Sequence, residues 1–251
     1  MSPTSNFHQY KHPPIAEAVI GLTFESDTNV AELDKAQRKL GKFYPNHQPL
    51  RQIKVQFTVS PTAHHGQNAL DEEVGHRRST NDQTEIAILK KNSITVSQLA
   101  PYVGWEKFLQ RFKRDWDTIK QAIGFRPIKQ IGVRYINRID IPFEGIGVRM
   151  ADYLKALPNI PDQFGVVSGY SVSAEVQMPD IHCVLRLNSG AVPSPLPKCV
   201  SVILDLDLIR NQEAPQSDSE ISATLEKMRE RKNAFFESAI TENARELFNH
   251  E

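Results

Sequence analysis

Between Gly104 and Pro127 the chain lays down a single helical stripe of large apolar side chains. Trp105, Phe108, Leu109, Phe112, Trp116, Ile119 and Ile123 stand at i, i+3, i+4, i+7, i+11, i+14 and i+18, the 3.6-residue period of an amphipathic helix. Two indoles and two phenyl rings along one side of a helix must be laid on a broad apolar surface, so the rest of the chain has to supply one. Lys107, Arg111 and Arg114 lie off the stripe, on a face expected to be solvated, and Gly124 with Pro127 ends the helix.

Strand signals surround it. Ile15–Glu25 puts Ala16, Ala18, Ile20, Leu22 and Phe24 on one side, the period of a half-buried strand. Asn29 opens a helix with a capping-box pattern at Glu32 and with Val30, Leu33 and Leu40 on one side. Gln52–Ser60 alternates Ile53, Val55, Phe57 and Val59, residues 61–82 are polar and read as a loop, and strands over 83–90 and 93–99 meet at a turn at Lys91–Asn92. Beyond the helix come a strand over 128–142, a short helix around 149–157, and strands over 164–178, 181–190 and 199–209. A last helix runs over 218–248, capped by Ser217 and Glu220 and buried along Ile221, Leu225, Met228, Phe235 and Ala239. The order β-α-β-β-β-α occurs twice. It predicts an α+β fold of two βαβββα halves, 1–126 and 127–251, tightly packed, each a largely antiparallel sheet with a long helix on one face. The other face either joins into one continuous curved sheet or is covered by a partner.

Formal charge is zero, with 30 basic and 30 acidic side chains. That balance argues against a dedicated nucleic-acid binder, which carries a basic excess to exchange for counterions. No apolar run approaches the ~20 residues of a membrane span, and MSPTSNFHQYKHPP has no apolar h-region, so a cytoplasmic location without membrane contact is expected. Cys183 and Cys199 are the only cysteines. A hairpin turning near Ser194 would set Cys183 opposite Asp205 and Cys199 opposite Ser189, so the thiols are not expected to face each other.

The run Gly104-Trp105-Glu106-Lys107-Phe108 is followed by Ile131-Gly132-Val133-Arg134-Tyr135-Ile136-Asn137-Arg138-Ile139-Asp140-Ile141-Pro142. Pro13-Pro14-Ile15-Ala16-Glu17-Ala18, Leu204-Asp205-Leu206-Asp207 and Phe235-Phe236-Glu237-Ser238-Ala239-Ile240-Thr241 stand out beside it. Together they resemble a sporadically distributed, uncharacterised bacterial protein family with an Arg-Tyr-x-Asn-Arg-Ile signature. The resemblance spans essentially the whole chain and is poorest over 61–82 and 190–198. It implies no catalytic residue, because the family has no assigned activity. Its patchy occurrence is similar to that of genes in mobile antiphage-defence and toxin–antitoxin loci.

The signature strand carries the most informative chemistry. Alternation puts Arg134, Ile136, Arg138 and Asp140 on one face and Val133, Tyr135, Asn137, Ile139 and Ile141 on the other. Either the two arginines are paired by Glu17, Asp205 or Asp207, which sit on otherwise apolar strands, or they open into a patch for an anion. A small-molecule site could instead take its anchors from Tyr135 and Asn137. Asp205-Leu206-Asp207 has the form of a D-x-D metal motif but lies mid-strand. His64, His65 and His76, with Glu72 and Glu73, lack metalloprotease spacing. Gly145-Ile146-Gly147 lacks the third small residue of a dinucleotide fingerprint, Gly165-Val166-Val167-Ser168-Gly169 is no nucleophile elbow, and adjacent His182 and Cys183 point to opposite faces. No catalytic residue, cofactor or metal is therefore assigned. The expectation is a non-enzymatic binding or regulatory protein whose partner is another protein or a second copy. The alternatives are a small-molecule effector-binding module taking a small anionic ligand, or an enzyme acting on a phosphorylated substrate through the arginine pair.

Overall fold

The computed structural model describes residues 9–58, 66–143, 148–161, 163, 165, 167 and 169–249. In chain order the elements are β1 (Ile15–Phe24), α1 (Val30–Leu40), β2 (Asn46–Thr58), β3 (Gly66–Ser79), β4 (Glu85–Lys90), β5 (Ser93–Leu99) and α2 (Trp105–Ile123). There follow β6 (Ile128–Pro142), β7 (Ser171–Met178), β8 (Cys183–Val192), β9 (Cys199–Arg210), α3 (Asp218–Ala239) and α4 (Glu242–Leu247). Among the described residues, nine strands join one sheet in the order β2-β3-β4-β5-β1-β6-β9-β8-β7. Each neighbouring pair is antiparallel. The expected α+β class holds, and the uncovered faces join into one continuous sheet.

One face of that sheet is the core. Ala18, Ile20 and Leu22 of β1 lie opposite Tyr135, Val133 and Ile131 of β6, and all are buried. Leu204, Leu206 and Leu208 of β9 extend the same face. The stripe of α2 is buried along its length, Trp105 at 5% and Trp116 at 2% exposure. At roughly 1.5–3 kcal/mol for each fully buried large apolar side chain, that stripe is a principal hold on the fold. Both indoles also reach α3: Trp105 Nε1 donates to Glu226 Oε1 at 2.8 Å and Trp116 Nε1 to Asp218 Oδ1 at 2.9 Å. Phe24 stacks on Trp116, tying the first strand to the helix above it.

Several expectations are corrected. Most of 61–82 is not a loop: β3 pairs with β2 throughout and with β4 at its far end. β3 is second from the end of the sheet, and over Gly66–Glu73 its ladder runs to β2 alone; held there by backbone pairing it does not need an apolar period, so its polar sequence concealed it. Ile53, expected inside, is 67% exposed, and the side chains of Val55 and Phe57, with Val59, lie outside the described residues. The helix around 149–157 is a single 3₁₀ turn, Met150–Asp152. The strand expected from 164 begins at Ser171. The last helix is broken at Ile240, which bridges to Leu154, with Lys155 N donating to Ala239 O and Thr241 N to Tyr153 O. A crossing backbone has replaced helical hydrogen bonds there. With β3 added and the short helix gone, the two halves do not share one element order. The β8–β9 register pairs Val184 with Ile209 and Val192 with Ser201. The turn therefore lies later than Ser194, and both cysteines are free.

The solvated face expected for α2 is also partly wrong. Arg111 and Asp115 are buried, and α1 with the turn after it covers them. Tyr44 donates to Asp115, Arg114 binds the same carboxylate at 2.8 Å, and Arg111 donates to Ser97 O at 2.8 Å. Burial is the main force raising the Asp115 pKa, against those donors. Arg78 is fixed nearby by Gln37 Oε1 and by the carbonyl of Tyr44.

Candidate functional site

β6 lies between β1 and β9, and its alternation is as expected: odd-numbered residues from Val133 to Ile141 are buried, and even-numbered ones are half-buried or exposed. On the open face Arg134 grips Asp205 with two parallel bonds, Nε to Oδ1 at 2.8 Å and Nη2 to Oδ2 at 2.7 Å. Asp205 is only 7% exposed in its side chain, whereas Arg134 is 45% exposed. Cross-strand register places Asp207 between Arg134 on β6 and Arg186 on β8, and Arg186 in turn binds Glu175 on β7. Burial chiefly raises the Asp207 pKa, and Asp205 adds to it while Arg134 and Arg186 oppose it. Arg138 pairs with none of Glu17, Asp205 or Asp207. It reaches Asp140 on its own strand at 3.1 Å, and Asp140 also accepts from Ser201. Glu17 is close enough to favour the charged form of Arg134. The arginines are thus engaged by neighbouring carboxylates, and on this face β6 is laced to β9.

The other face of the same strand opens into a pocket of about 420 Å³. Its floor is Tyr135 and Asn137 of β6, one wall is the start of α2 with Tyr102 before it, and another is α3 at Arg229, Lys232 and Phe236. The fourth side is the segment before β1. That strap is tied down where His12 N donates to Phe248 O, Arg138 N to Pro14 O, and Tyr10 Oη to Glu237. A register shift between Ile15 and Glu17 interrupts the β1–β6 ladder opposite Asn137, the kind of bulge that re-aims backbone beside a site. Asn137 Nδ2 donates to Leu204 O at 2.9 Å. The hydroxyls of Tyr102 and Tyr135 are 2.8 Å apart, and burial pushes the Tyr102 pKa to about 12 and that of Tyr135 well above 10. Both stay protonated at neutral pH.

Lys232 is the unusual member. Its side chain is 6% exposed, and Nζ sits over the Tyr135 ring, 3.7 Å from the centroid. Among the described residues it makes no hydrogen bond or ion pair. Glu237, one turn away, is already taken by Tyr10 and by Arg245 Nε at 3.0 Å. Burial pushes the Lys232 ammonium down to about 7, with Arg229 adding to the effect and Glu237 opposing it. Arg229 itself lies between Glu226 and Glu106 over the ring of Trp105.

Tyr135 and Asn137, the anchors expected on one face, meet in the pocket with Lys232 and Tyr102, which the sequence pattern does not single out. A signal for Lys232 existed: it occupies the next step of the buried stripe Ile221, Leu225, Met228, Phe236 and Ala239, where a charge is costly. His76 is buried on β3, 3.3 Å from His47 and beside Asp34 and Glu73, while His64, His65 and Gly145-Ile146-Gly147 lie outside the described residues. Among the described residues no group of three or more His, Cys, Asp or Glu is arranged to hold a metal, and no helix is long and apolar enough to cross a membrane. No protein-family model matches the chain, and no curated protein matches it significantly.

Proposed function

We propose that the chain is a cytoplasmic, regulatory small-molecule-binding module that takes a small anionic ligand in the pocket between the strap, α2, β6 and α3. The observation that carries this reading is Lys232, a buried ammonium that faces a cavity and has no carboxylate partner among the described residues. Burying an ammonium costs several kcal/mol unless a counter-charge is supplied, and a methionine would fill the stripe without that penalty. An entering carboxylate or phosphate would supply the missing charge, while Asn137 and the tyrosine hydroxyls offer neutral hydrogen bonds that fix its orientation. On this reading the pocket lies at the seam of two halves, 1–126 and 127–251, and the resemblance to the Arg-Tyr-x-Asn-Arg-Ile family rests on residues that build it. A thermal-shift panel of small carboxylates and phosphates tests it. A binder should raise the melting temperature of the wild type and not that of Lys232→Met. A panel that shifts neither protein, or both equally, removes the reading.

A second reading has an observation of its own. The sheet face away from the helices carries half-buried Val19, Ile136 and Ile203 among the charged rows, which suits another protein or a second copy of the chain. Sedimentation across a wide concentration range tests the second copy, and a mass that stays monomeric removes it.

A further inference from the structure

We propose that Lys232 captures a carbonyl compound, its Nζ forming a reversible imine with an aldehyde or 2-oxo acid held in the pocket. This rests on the small-molecule reading above and names the reactive group of the ligand. Two properties separate a carbonyl-capturing lysine from one that only neutralises an anion: its nitrogen must be available as a free amine, and hydrogen-bond donors must stand near the carbonyl oxygen. Both are present. Among the described residues no carboxylate holds the Lys232 nitrogen, and what faces it is the ring of Tyr135. The charged groups bearing on it from its own helix are Arg229, which disfavours a second cation, and Glu237, whose oxygens are occupied by Tyr10 and Arg245. From the start of α2, Glu106 is turned to Arg229, and Lys11 of the strap adds another positive charge to the lining. With its pKa lowered to about 7 by burial, roughly half of Lys232 is a neutral nucleophile at pH 7, against about one in a few thousand for an ordinary lysine. The donor is the Tyr102–Tyr135 hydroxyl pair, which lines the same cavity and stays protonated: at 2.8 Å one proton bridges the two oxygens, and the other is left to donate.

The chemistry balances without an oxidant or reductant. Lys232 gives its extra proton to solvent, and the nitrogen lone pair forms a C–N bond to the carbonyl carbon. The C=O π pair moves to oxygen, which takes a proton and becomes the hydroxyl of a carbinolamine. The nitrogen loses one proton and the hydroxyl gains one; the nitrogen lone pair then forms the C=N bond as the C–O pair leaves with water, and the iminium gives up its remaining N–H proton. Amine and carbonyl have become imine and water, and the step reverses when water returns.

Glyoxylate with cyanoborohydride, applied to the full chain at pH 7 and read by peptide mass mapping, is the test. We expect Lys232 to be alkylated at least about tenfold faster than the surface lysines, a margin well inside its advantage in neutral amine. The label should vanish in Lys232→Met with surface labelling unchanged. Should that variant fail to fold, the wild-type map alone decides. Labelled surface lysines beside an unmodified Lys232 overturn the proposal. Glycolate, the same carboxylate without the carbonyl, separates the two readings. A glycolate melting shift that depends on Lys232, without glyoxylate labelling there, overturns the imine and leaves the binding pocket standing. Absence of both overturns both.

Discussion

Replacing Lys232 by methionine should stabilise this protein at neutral pH, and the gain should shrink as the pH rises. The side chain is 6% exposed and its ammonium titrates near 7, against a usual 10.5. The folded-state value is depressed, so between about pH 7 and pH 10.5 the unfolded chain holds a proton that the folded chain has released. Stability must rise with pH across that window. At 1.36 kcal/mol per pKa unit, the penalty from this one group is about 4–5 kcal/mol at pH 6–7, ~2 kcal/mol at pH 9 and close to zero by pH 11. The Tyr135 ring under the ammonium offsets about 0.5–2 kcal/mol of this. Methionine matches the length and apolar stem of lysine without the charge, so Lys232→Met removes the penalty and leaves the stripe filled. Urea titrations of both proteins at pH 6, 7, 8 and 9 measure it. The variant should be more stable by about 3 kcal/mol at pH 7, and the wild type should recover ~2 kcal/mol of that difference by pH 9. Cys183, pushed up to about 11, and Tyr102, pushed up to about 12, also titrate differently in the fold, but they are common to both proteins and cancel. Parallel pH profiles would refute the reasoning, since they would mean the ammonium is satisfied in the folded chain.

Other expectations test the open face of the sheet. Arg134→Ala strands the buried carboxylate of Asp205. Losing one partner of a closed pair costs ~3–5 kcal/mol, which the solvent access of Arg134 reduces to about 2 kcal/mol, or roughly 4–8 °C in melting temperature; an unchanged midpoint would show that Asp205 is solvated. Arg138→Ala should cost under about 1 kcal/mol, because its pair with Asp140 is within one strand and partly exposed; an equal loss in the two variants would erase the distinction. Asp207 has its pKa raised by burial, so its carboxylate favours the fold most when protonated, and that contribution is lost as the pH rises through the folded value. Asp207→Asn should therefore melt higher than wild type at pH 7 and coincide with it at pH 3, and a gain that persists in acid would refute the assignment. The β2–β3–β4 ladder is checked by hydrogen exchange, in which amides over Gly75–Ser79 of β3, paired on both sides, should be protected.

What the sequence disclosed and what it hid divide along a physical line. Where a long face is buried, its period shows: α2 begins and ends as its stripe predicts, β6 runs over the predicted residues, and Asn29 and Ser217 cap their helices through the amides of Glu32 and Glu220. Shorter apolar spacings misled, since Ile53 of β2 is exposed and 149–157 holds only the turn Met150–Asp152. Wherever structure is held by backbone alone, the pattern was silent. β3 is polar and became a strand by pairing, and α3 stops where the backbone at Leu154 takes the place of a further helical turn. The pocket was half legible. Strand alternation separates Tyr135 and Asn137 from the arginines, but Lys232 is nearly a hundred residues further on, and a single lysine does not break the period of an apolar stripe. A charge at a core step of an otherwise apolar helix was the available sign.

The two faces of β6 also depend on each other. Side-chain direction alternates with a period of two, so a one-residue slip of β6 against β9 would carry Tyr135 and Asn137 to the open face and drive Arg134 and Arg138 under Lys232. Apolar pairing alone resists such a slip only through burial. The double bond from Arg134 to Asp205, the alternation of Arg134, Asp207, Arg186 and Glu175 across four strands, and the Arg138–Asp140–Ser201 contacts resist it by charge and direction as well. A buried ion pair adds little net stability over an apolar pair of the same size, so its value here lies in the registers it forbids. Arg134 and Arg138 then serve the pocket without touching it: they fix the strand on which Tyr135 and Asn137 are presented to Lys232.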